Sequence, residues 1–148
     1  MSTLLVAIQF TLIFLILFTW SAIPSFAPLA FAFLIAGMAL GLWTLCFNRI
    51  GNFNIRPEPK EGGRLITNGP YRFIRHPMYT ALLLVMGAFA FFQDEPIKAA
   101  CWILLFATLR AKSSLEEKML KDDYPEYAHY QHSAGRFLPR LFRSHAGK

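Results

Sequence analysis

Two polar strings that lie far apart in the chain carry the side chains that could do chemistry. The first, residues 69–79, contains His76-Pro77 just before an apolar run. Because proline suits the first position of a helix, we expect His76 at the N-cap. The helix dipole is positive there, and backbone amides are available to bind an anion such as a carboxylate. Four more side chains of this string add positive charge or a phenol: Arg72, Arg75, Tyr71 and Tyr79.

The second string is centred on the pair Glu116-Glu117. Adjacent helical residues point about 100° apart, so we expect one carboxylate to face the core and the other the solvent, and not both to face one site. A carboxylate at membrane depth is costly unless it is paired or functional. Such a group accepts hydrogen bonds from an ammonium or a ribose. With the first string, it would form a site for a zwitterionic amino acid attached to a nucleoside.

Each of these groups also has a purely structural interpretation. The arginines could be membrane-flanking charges, the tyrosines interface aromatics and His76 a simple cap. Glu116 and Glu117 could pair at helix spacing with Lys112, Lys118 or Lys121. The histidines His129 and His132 lack a third ligand, so no metal site is predicted. The residues alone therefore indicate a polar site at the cytoplasmic ends of two helices.

The elements that position these strings are strongly apolar. Of 148 residues, 55% are hydrophobic and 16% are charged, whereas soluble domains carry roughly 25% charged residues. No charged residue or histidine precedes Arg49, which is difficult for a soluble protein of this size. No basic residue precedes Leu4, which argues against a cleaved signal peptide. The net charge is +6. The basic residues flank the apolar runs, which favours anionic lipid headgroups over nucleic acid as their partners.

We therefore predict a single all-α integral membrane domain, residues 1–148, with about four transmembrane helices. The spans are expected at about 4–20, 28–47, 79–92 and 97–109, with the last helix continuing from Pro96 to Lys121. A short helix should follow Pro125 and end near Gly135. Lys98 is the one basic residue between the last two spans. The connector 48–78, the tail 110–148 and both termini are thus predicted to be cytoplasmic, in a cell inner membrane.

Gly37 and Gly41 form a small-residue pair in the second span. This spacing lets two helix backbones approach closely. It predicts packing of the first span against the second or, alternatively, a homodimer.

The two strings together resemble the isoprenylcysteine carboxyl methyltransferases and the related phospholipid N-methyltransferases, which are integral membrane enzymes. The family pattern is Gly-Pro-Tyr-x-x-x-Arg-His-Pro-x-Tyr, then Glu-Glu-x-x-Leu, Tyr-x-x-Tyr and Arg-x-x-Pro. These elements correspond to residues 69–79, 116–120, 127–130 and 136–139. A frequent family arginine, four residues before the paired Glu, is Lys112 here.

The resemblance implies S-adenosylmethionine as cofactor. It implies cofactor contacts at Tyr71, Arg75, His76, Pro77, Tyr79, Glu117 and Tyr127. It also places Tyr127, Tyr130 and Arg136 near the cofactor or the reacting end of the acceptor. The candidate catalytic residues are Arg136, Glu116 and Tyr130.

The function expected from this resemblance is methyl transfer from S-adenosylmethionine to a small or lipid-like acceptor at the cytoplasmic membrane face. The acceptor could be a carboxylate, an amine or a thiol. Membrane lipids and a small acceptor are the expected partners, with no nucleic acid. Two alternatives remain open, namely an NADPH-dependent membrane reductase of sterol-reductase type and a non-enzymatic membrane scaffold.

Overall fold

The computed structural model describes residues 2–18, 28–47, 65–91 and 95–140. Within these ranges the chain forms helices and no strand, which confirms the all-α prediction. The elements are α1 (Ser2–Phe18), α2 (Pro28–Phe47), a 3₁₀ helix (Gly69–Arg72), α3 (Pro77–Phe91), α4 (Pro96–Asp123) and α5 (Tyr127–Ser133).

Prolines mark where most of these helices begin and where the longest one ends. Pro77 and Pro96 occupy first helical positions, as predicted, because a proline lacks the amide that the first turn leaves unpaired. The helix α4 is 28 residues long and ends at Asp123, with Tyr124 as its C-cap. Tyr124 is extended, with φ −129° and ψ 101°, because the ring of Pro125 disfavours a helical conformation in the residue before it. The predicted continuation of this helix past the apolar run is confirmed.

The helices pack in pairs around a shared core. α1 packs along α4, α2 along α3, and α3 against both α1 and α4. The side chain of Phe137, from the segment after α5, also packs into this core. The other buried members come from α1, α3 and α4: Leu12, Ile16, Leu83, Met86, Ala90, Cys101, Leu105 and Leu109.

Close packing of α2 on α3 depends on Gly37. A Cβ at this position would lie 2.8 Å from Cγ2 of Val85 and 2.9 Å from the carbonyl oxygen of Ala81. The expected packing of the first span against the second is therefore wrong, because the small face of α2 meets α3. A homodimer through Gly37 and Gly41 stays a prediction, and α3 already fills the Gly37 side of that surface.

Large apolar side chains cover the outside of the first two helices. Phe18, Ile35 and Leu4 are 70%, 64% and 63% exposed, an arrangement typical of surfaces that meet lipid or a partner. One helix of the described residues, Pro28–Phe47, is long and apolar enough to cross a membrane. The apolar helices α1 and α3 are shorter, with 17 and 15 residues. The count of four spans therefore stays a prediction.

Several predicted features lie outside the described residues. These are the end of the first span beyond Phe18, the connector from 48 to 64, position 92 at the end of the third span, and the tail from 141 onward.

Candidate functional site

Backbone hydrogen bonds join the two polar strings before any side chain contributes. Ile74, just before α3, forms a parallel bridge with Gly135, just after α5. The amide of Arg75 donates to the Gly135 carbonyl at 2.7 Å, and the Gly135 amide donates to Phe73 at 3.0 Å. The His76 amide donates to the Arg136 carbonyl at 3.1 Å. This bridge holds the start of α3 against the chain that follows α5.

Glu117 is the centre of the side-chain network. Its carboxylate, 3% exposed, accepts hydrogen bonds from four side chains. Arg75 Nε and His76 Nε2 lie 2.9 and 3.1 Å from Oε1. Gln131 Nε2 and Arg136 Nη2 lie 2.8 and 2.6 Å from Oε2. Four donors match the roughly four lone-pair sites of a carboxylate, so Glu117 ties the start of α3 and the segment around α5 to α4.

His76 lies between both glutamates of the pair. Its Nδ1 is 3.3 Å from Oε2 of Glu116, and its Nε2 is 3.1 Å from Oε1 of Glu117. The expectation that both carboxylates could not face one site is therefore wrong. They diverge from α4, but the imidazole fits between them and presents one ring nitrogen to each.

The network shifts the proton affinities of its members. Burial lowers the pKa of His76. The hydrogen bonds to Glu116 and Glu117 and their charges raise it by more, so the pKa lies above its usual value. Burial raises the pKa of Glu117, but the hydrogen bonds and charges of His76 and Arg75 lower it overall. A doubly protonated imidazole suits this geometry because both neighbouring carboxylates are acceptors.

Arg75 contributes positive charge, and two of its three guanidinium nitrogens, Nε and Nη1, are engaged by the protein. Besides the Glu117 carboxylate, Nη1 donates to the carbonyl of Gln131 at 2.8 Å and to the carbonyl of Ala134. It thus pairs carbonyls at the end of α5. In the first turn of α3, the amides of Tyr79 and Thr80 donate to the His76 carbonyl. The predicted anion site at this helix start stays a prediction.

The tyrosines line the network on two sides. The Tyr79 ring is parallel to the His76 ring at 5.4 Å, and its hydroxyl donates to Oε2 of Glu116 at 3.1 Å. The hydroxyl of Tyr130 donates to the Tyr71 carbonyl at 2.6 Å. Burial and the charge of Glu116 raise the pKa of Tyr71 to about 12, so its phenol keeps its proton at neutral pH.

Tyr127 has a buried hydroxyl group that differs from those of the other tyrosines of the site. Its side chain is 1% exposed, and its hydroxyl has no hydrogen-bond partner among the described residues. The ring packs edge-on against Tyr130 at 5.7 Å. A buried hydroxyl without a partner costs free energy, which makes this position a candidate for contact with a ligand or a water molecule.

Lys112 adds a second buried basic group one turn before Glu116. It is 2% exposed, and Nζ donates to Oε1 of Gln9 at 2.8 Å. The same Nζ lies 5.4 Å from the centre of the Tyr79 ring. Burial lowers the pKa of Lys112, and the charge of Glu116 opposes that shift. The predicted helical pairing of Lys112 with a glutamate does not form.

Three polar residues of the site were missed by sequence reasoning. Gln9 is an amide in a predicted span, and an amide at membrane depth is a signal of packing or function. Gln131 and Ser114 bear no such signal. Gln131 joins the network because its amide donates to Glu117. Ser114 joins it because its hydroxyl lies 2.8 Å from Nη1 of Arg136.

The structure thus brings all ten predicted site residues into one network or its immediate wall. Pro77 is buried and starts α3 directly after His76. Their catalytic and cofactor-binding roles remain predictions.

Comparison with known proteins identifies the family. The phospholipid methyltransferase family matches residues 27–127, more than half of the 148. The chain belongs to this family. The resemblance seen in the sequence is confirmed, and family members are membrane-associated methyltransferases that generally use S-adenosylmethionine. The match includes Glu116 and Glu117 but ends before Tyr130 and Arg136, which the fold brings to the same place.

Two curated relatives are similar to parts of the chain. One is the cobalt-zinc-cadmium resistance protein CzcN of Cupriavidus metallidurans, 30% identical over 83 residues, which are 55% of this chain and 38% of that protein. The other is the nickel-cobalt-cadmium resistance protein NccN of Alcaligenes xylosoxydans xylosoxydans, 31% identical over 88 residues, 57% of this chain and 41% of that protein. The matches span about two fifths of the length of these relatives.

Proposed function

We propose that this chain transfers a methyl group from S-adenosylmethionine to a small or lipid-like acceptor at the cytoplasmic face of the membrane. The observation that carries the proposal is the pair of contacts from His76 to Glu116 and Glu117. These contacts unite the two polar strings in one site, within a family of membrane methyltransferases. The cytoplasmic assignment rests on the basic residues that flank the apolar runs.

The residues present fit S-adenosylmethionine, which offers an ammonium, a carboxylate, ribose hydroxyls and a purine. Glu116 keeps 28% of its side chain exposed and suits an ammonium or a ribose hydroxyl. Tyr127 supplies a buried hydroxyl without a partner. Arg136, 22% exposed, suits a carboxylate. Tyr71 and Tyr79 provide half-buried ring surface. Bound there, the cofactor would supply a methyl group already activated on a sulfonium.

Glu117 differs from Glu116 in what it can offer a ligand. Its four protein donors occupy its acceptor capacity. We therefore assign it the task of holding Arg75, His76 and Arg136 in place. The sequence-based expectation of a direct cofactor contact by Glu117 suits Glu116 better.

The chain's main contribution to such a reaction is positioning. Alignment of the donor methyl and the acceptor accounts for much of the barrier reduction in such transfers, and a buried site excludes water. An anionic acceptor needs no base. An amine acceptor would lose a proton, and the partly exposed Glu116 is placed to take it.

Isotope-labelled donor tests this function. Purified protein in nanodiscs should bind S-adenosylmethionine in calorimetry, and membrane extracts should gain labelled methyl in a lipid or small-molecule fraction. Glu116→Gln should weaken both signals, whereas Glu126→Gln, an exposed glutamate outside the network, should leave them unchanged. Absence of donor binding and of any label transfer would count decisively against the proposal.

The two alternatives predict different results in the same preparation. A membrane reductase would bind NADPH in preference to S-adenosylmethionine, which parallel calorimetry detects. A scaffold would keep its function when His76 is replaced by alanine.

The names of the two relatives refer to metal resistance. Among the described residues there is no group of three or more His, Cys, Asp or Glu side chains that could hold a metal ion. The proposed function rests on the family match and the site geometry.

A further inference from the structure

Lys112 is a buried cation whose partner is neutral. Its Nζ donates to the amide oxygen of Gln9 at 2.8 Å, and both side chains are less than a tenth exposed. Among the described residues no carboxylate forms an ion pair with it. An ammonium has three hydrogen-bond donors, so two remain beyond the bond to Gln9.

Packing alone gives little reason for a lysine at this position. The buried core residues of α1 and α4 include Leu12, Ile16, Leu105 and Leu109. A leucine in place of Lys112 would continue this core without the cost of burying an ammonium. A buried ionisable group without an oppositely charged partner is a candidate functional group.

The charges of the site show what that partner should be. The two guanidinium groups of Arg75 and Arg136 offset the two carboxylates of Glu116 and Glu117. The positive charge of Lys112 is then in excess, whether or not His76 is protonated. The proposed donor is itself a net cation, because its sulfonium and ammonium outnumber its carboxylate. A cationic acceptor would therefore add a like charge to this region.

The location also suits an acceptor. Lys112 lies four residues before Glu116, so it is about 6 Å along the axis of α4 toward the apolar run. Its Nζ lies 5.4 Å from the Tyr79 ring, and the Tyr79 hydroxyl is bonded to Glu116. This is the membrane side of the network, where a lipid-like acceptor would keep its hydrocarbon part.

We propose that Lys112, held in place by Gln9, binds the anionic head of the methyl acceptor, a carboxylate or a thiolate. This inference rests on the proposed methyltransferase function. In the reaction, a lone pair of the acceptor oxygen or sulfur attacks the methyl carbon as the carbon–sulfonium bond breaks. The bonding electrons stay on the donor sulfur, which becomes a neutral thioether. The acceptor becomes a neutral methyl ester or thioether, and no proton has to be removed.

Binding of two chain-matched probes, octanoate and octylamine, tests the site without turnover. We expect calorimetry in nanodiscs to show octanoate binding at least tenfold more tightly than octylamine. Lys112→Met should weaken octanoate binding at least tenfold, and Lys112→Arg should retain it. Gln9→Glu should also weaken it, because the new carboxylate neutralises Lys112. This variant keeps a paired lysine and thus serves if the methionine variant does not fold. Lys118→Met, at an exposed position of the same helix, should behave as wild type.

Equal binding of octanoate to wild type, Lys112→Met and Gln9→Glu would overturn the anion site, as would tighter binding of octylamine. Titration with S-adenosylmethionine in the same preparations tests the underlying function separately. Octanoate binding that depends on Lys112, without donor binding, would retain the anion site and reject the methyltransferase function. Donor binding, together with octanoate binding that does not depend on Lys112, would retain the methyltransferase function and reject the anion site.

Discussion

The imidazole Nε2 of His76 lies 3.1 Å from Oε1 of Glu117, although 41 residues separate them in the chain. This contact joins the start of α3 to α4, deep enough that both side chains are at least nine-tenths buried. It makes the protonation of His76 a matter of stability as well as of chemistry.

The raised pKa of His76 predicts that the protein loses stability as the pH rises. Burial lowers this pKa, but Glu116 and Glu117 raise it above its usual value of 6.5. The contribution is therefore fully present below pH 6.5 and is lost as the pH climbs through the folded-state pKa. Thermal unfolding in nanodiscs between pH 6 and 9 measures the loss, at about 1.4 kcal/mol per pKa unit. His76→Gln should abolish this slope, whereas His129→Gln, an exposed histidine, should retain it.

Removal of the Glu117 carboxylate should be among the most destabilising changes in the site. Glu117→Ala leaves the buried or half-buried cations of Arg75, His76 and Arg136 without their shared acceptor. Breaking a buried ion pair from one side costs about 3–5 kcal/mol. Denaturant unfolding should show this loss. Glu126→Ala should stay within about 0.5 kcal/mol of wild type, and a similarly small effect of Glu117→Ala would reject the central role given to this carboxylate.

Arg75→Lys should loosen the segment around α5 even though it preserves charge. Arg75 donates from two nitrogens to Glu117 and to the carbonyls of Gln131 and Ala134, and a lysine ammonium cannot reproduce this planar fork. We expect a loss of about 1–3 kcal/mol. Hydrogen exchange should become faster across residues 127–136. Arg72→Lys, at an exposed position, is the matched control and should leave the exchange unchanged. Unchanged hydrogen exchange in Arg75→Lys would show that the planar fork is dispensable.

Gly37→Ala should weaken the packing of α2 on α3, whereas Gly41→Ala should be tolerated. The added Cβ at Gly37 would lie 2.8 Å from Val85 and 2.9 Å from the Ala81 carbonyl, while the Cβ at Gly41 would lie 3.7 Å from the Ala81 Cβ. Overpacking of this kind costs about 1–3 kcal/mol. Thermal unfolding of the two variants in one detergent makes the comparison. Equal stability of both would contradict the close approach of the two helices.

Tyr127→Phe should separate ligand binding from stability. Its hydroxyl has no partner among the described residues, so its removal should leave the apo protein as stable as wild type or slightly more so. If the hydroxyl contacts the donor, the affinity for S-adenosylmethionine should fall by about tenfold, a loss of about 1.4 kcal/mol. Tyr130→Phe is the contrasting variant, because it breaks the bond to the Tyr71 carbonyl and should cost stability. Undiminished donor binding by Tyr127→Phe would remove this residue from the site.

The sequence by itself determined the helical class and most of the helix boundaries. Apolar runs specify helices, and prolines such as Pro77 and Pro96 specify where they start. These signals are local, since they depend on a few neighbouring residues. The two polar strings were also recognisable, because residues 69–79 and the pair Glu116-Glu117 follow a family pattern with a set spacing.

Only the tertiary structure decided how those groups face one another. The contacts of Glu117 with Arg75 and His76 span 42 and 41 residues, and the bond between Lys112 and Gln9 spans 103. No periodicity encodes such partners, because they depend on how α1, α3 and α4 pack. The helix geometry at Glu116-Glu117 even suggested that the two carboxylates would face different surroundings. The imidazole of His76 lies between them because the bridge from Ile74 to Gly135 holds the start of α3 in place.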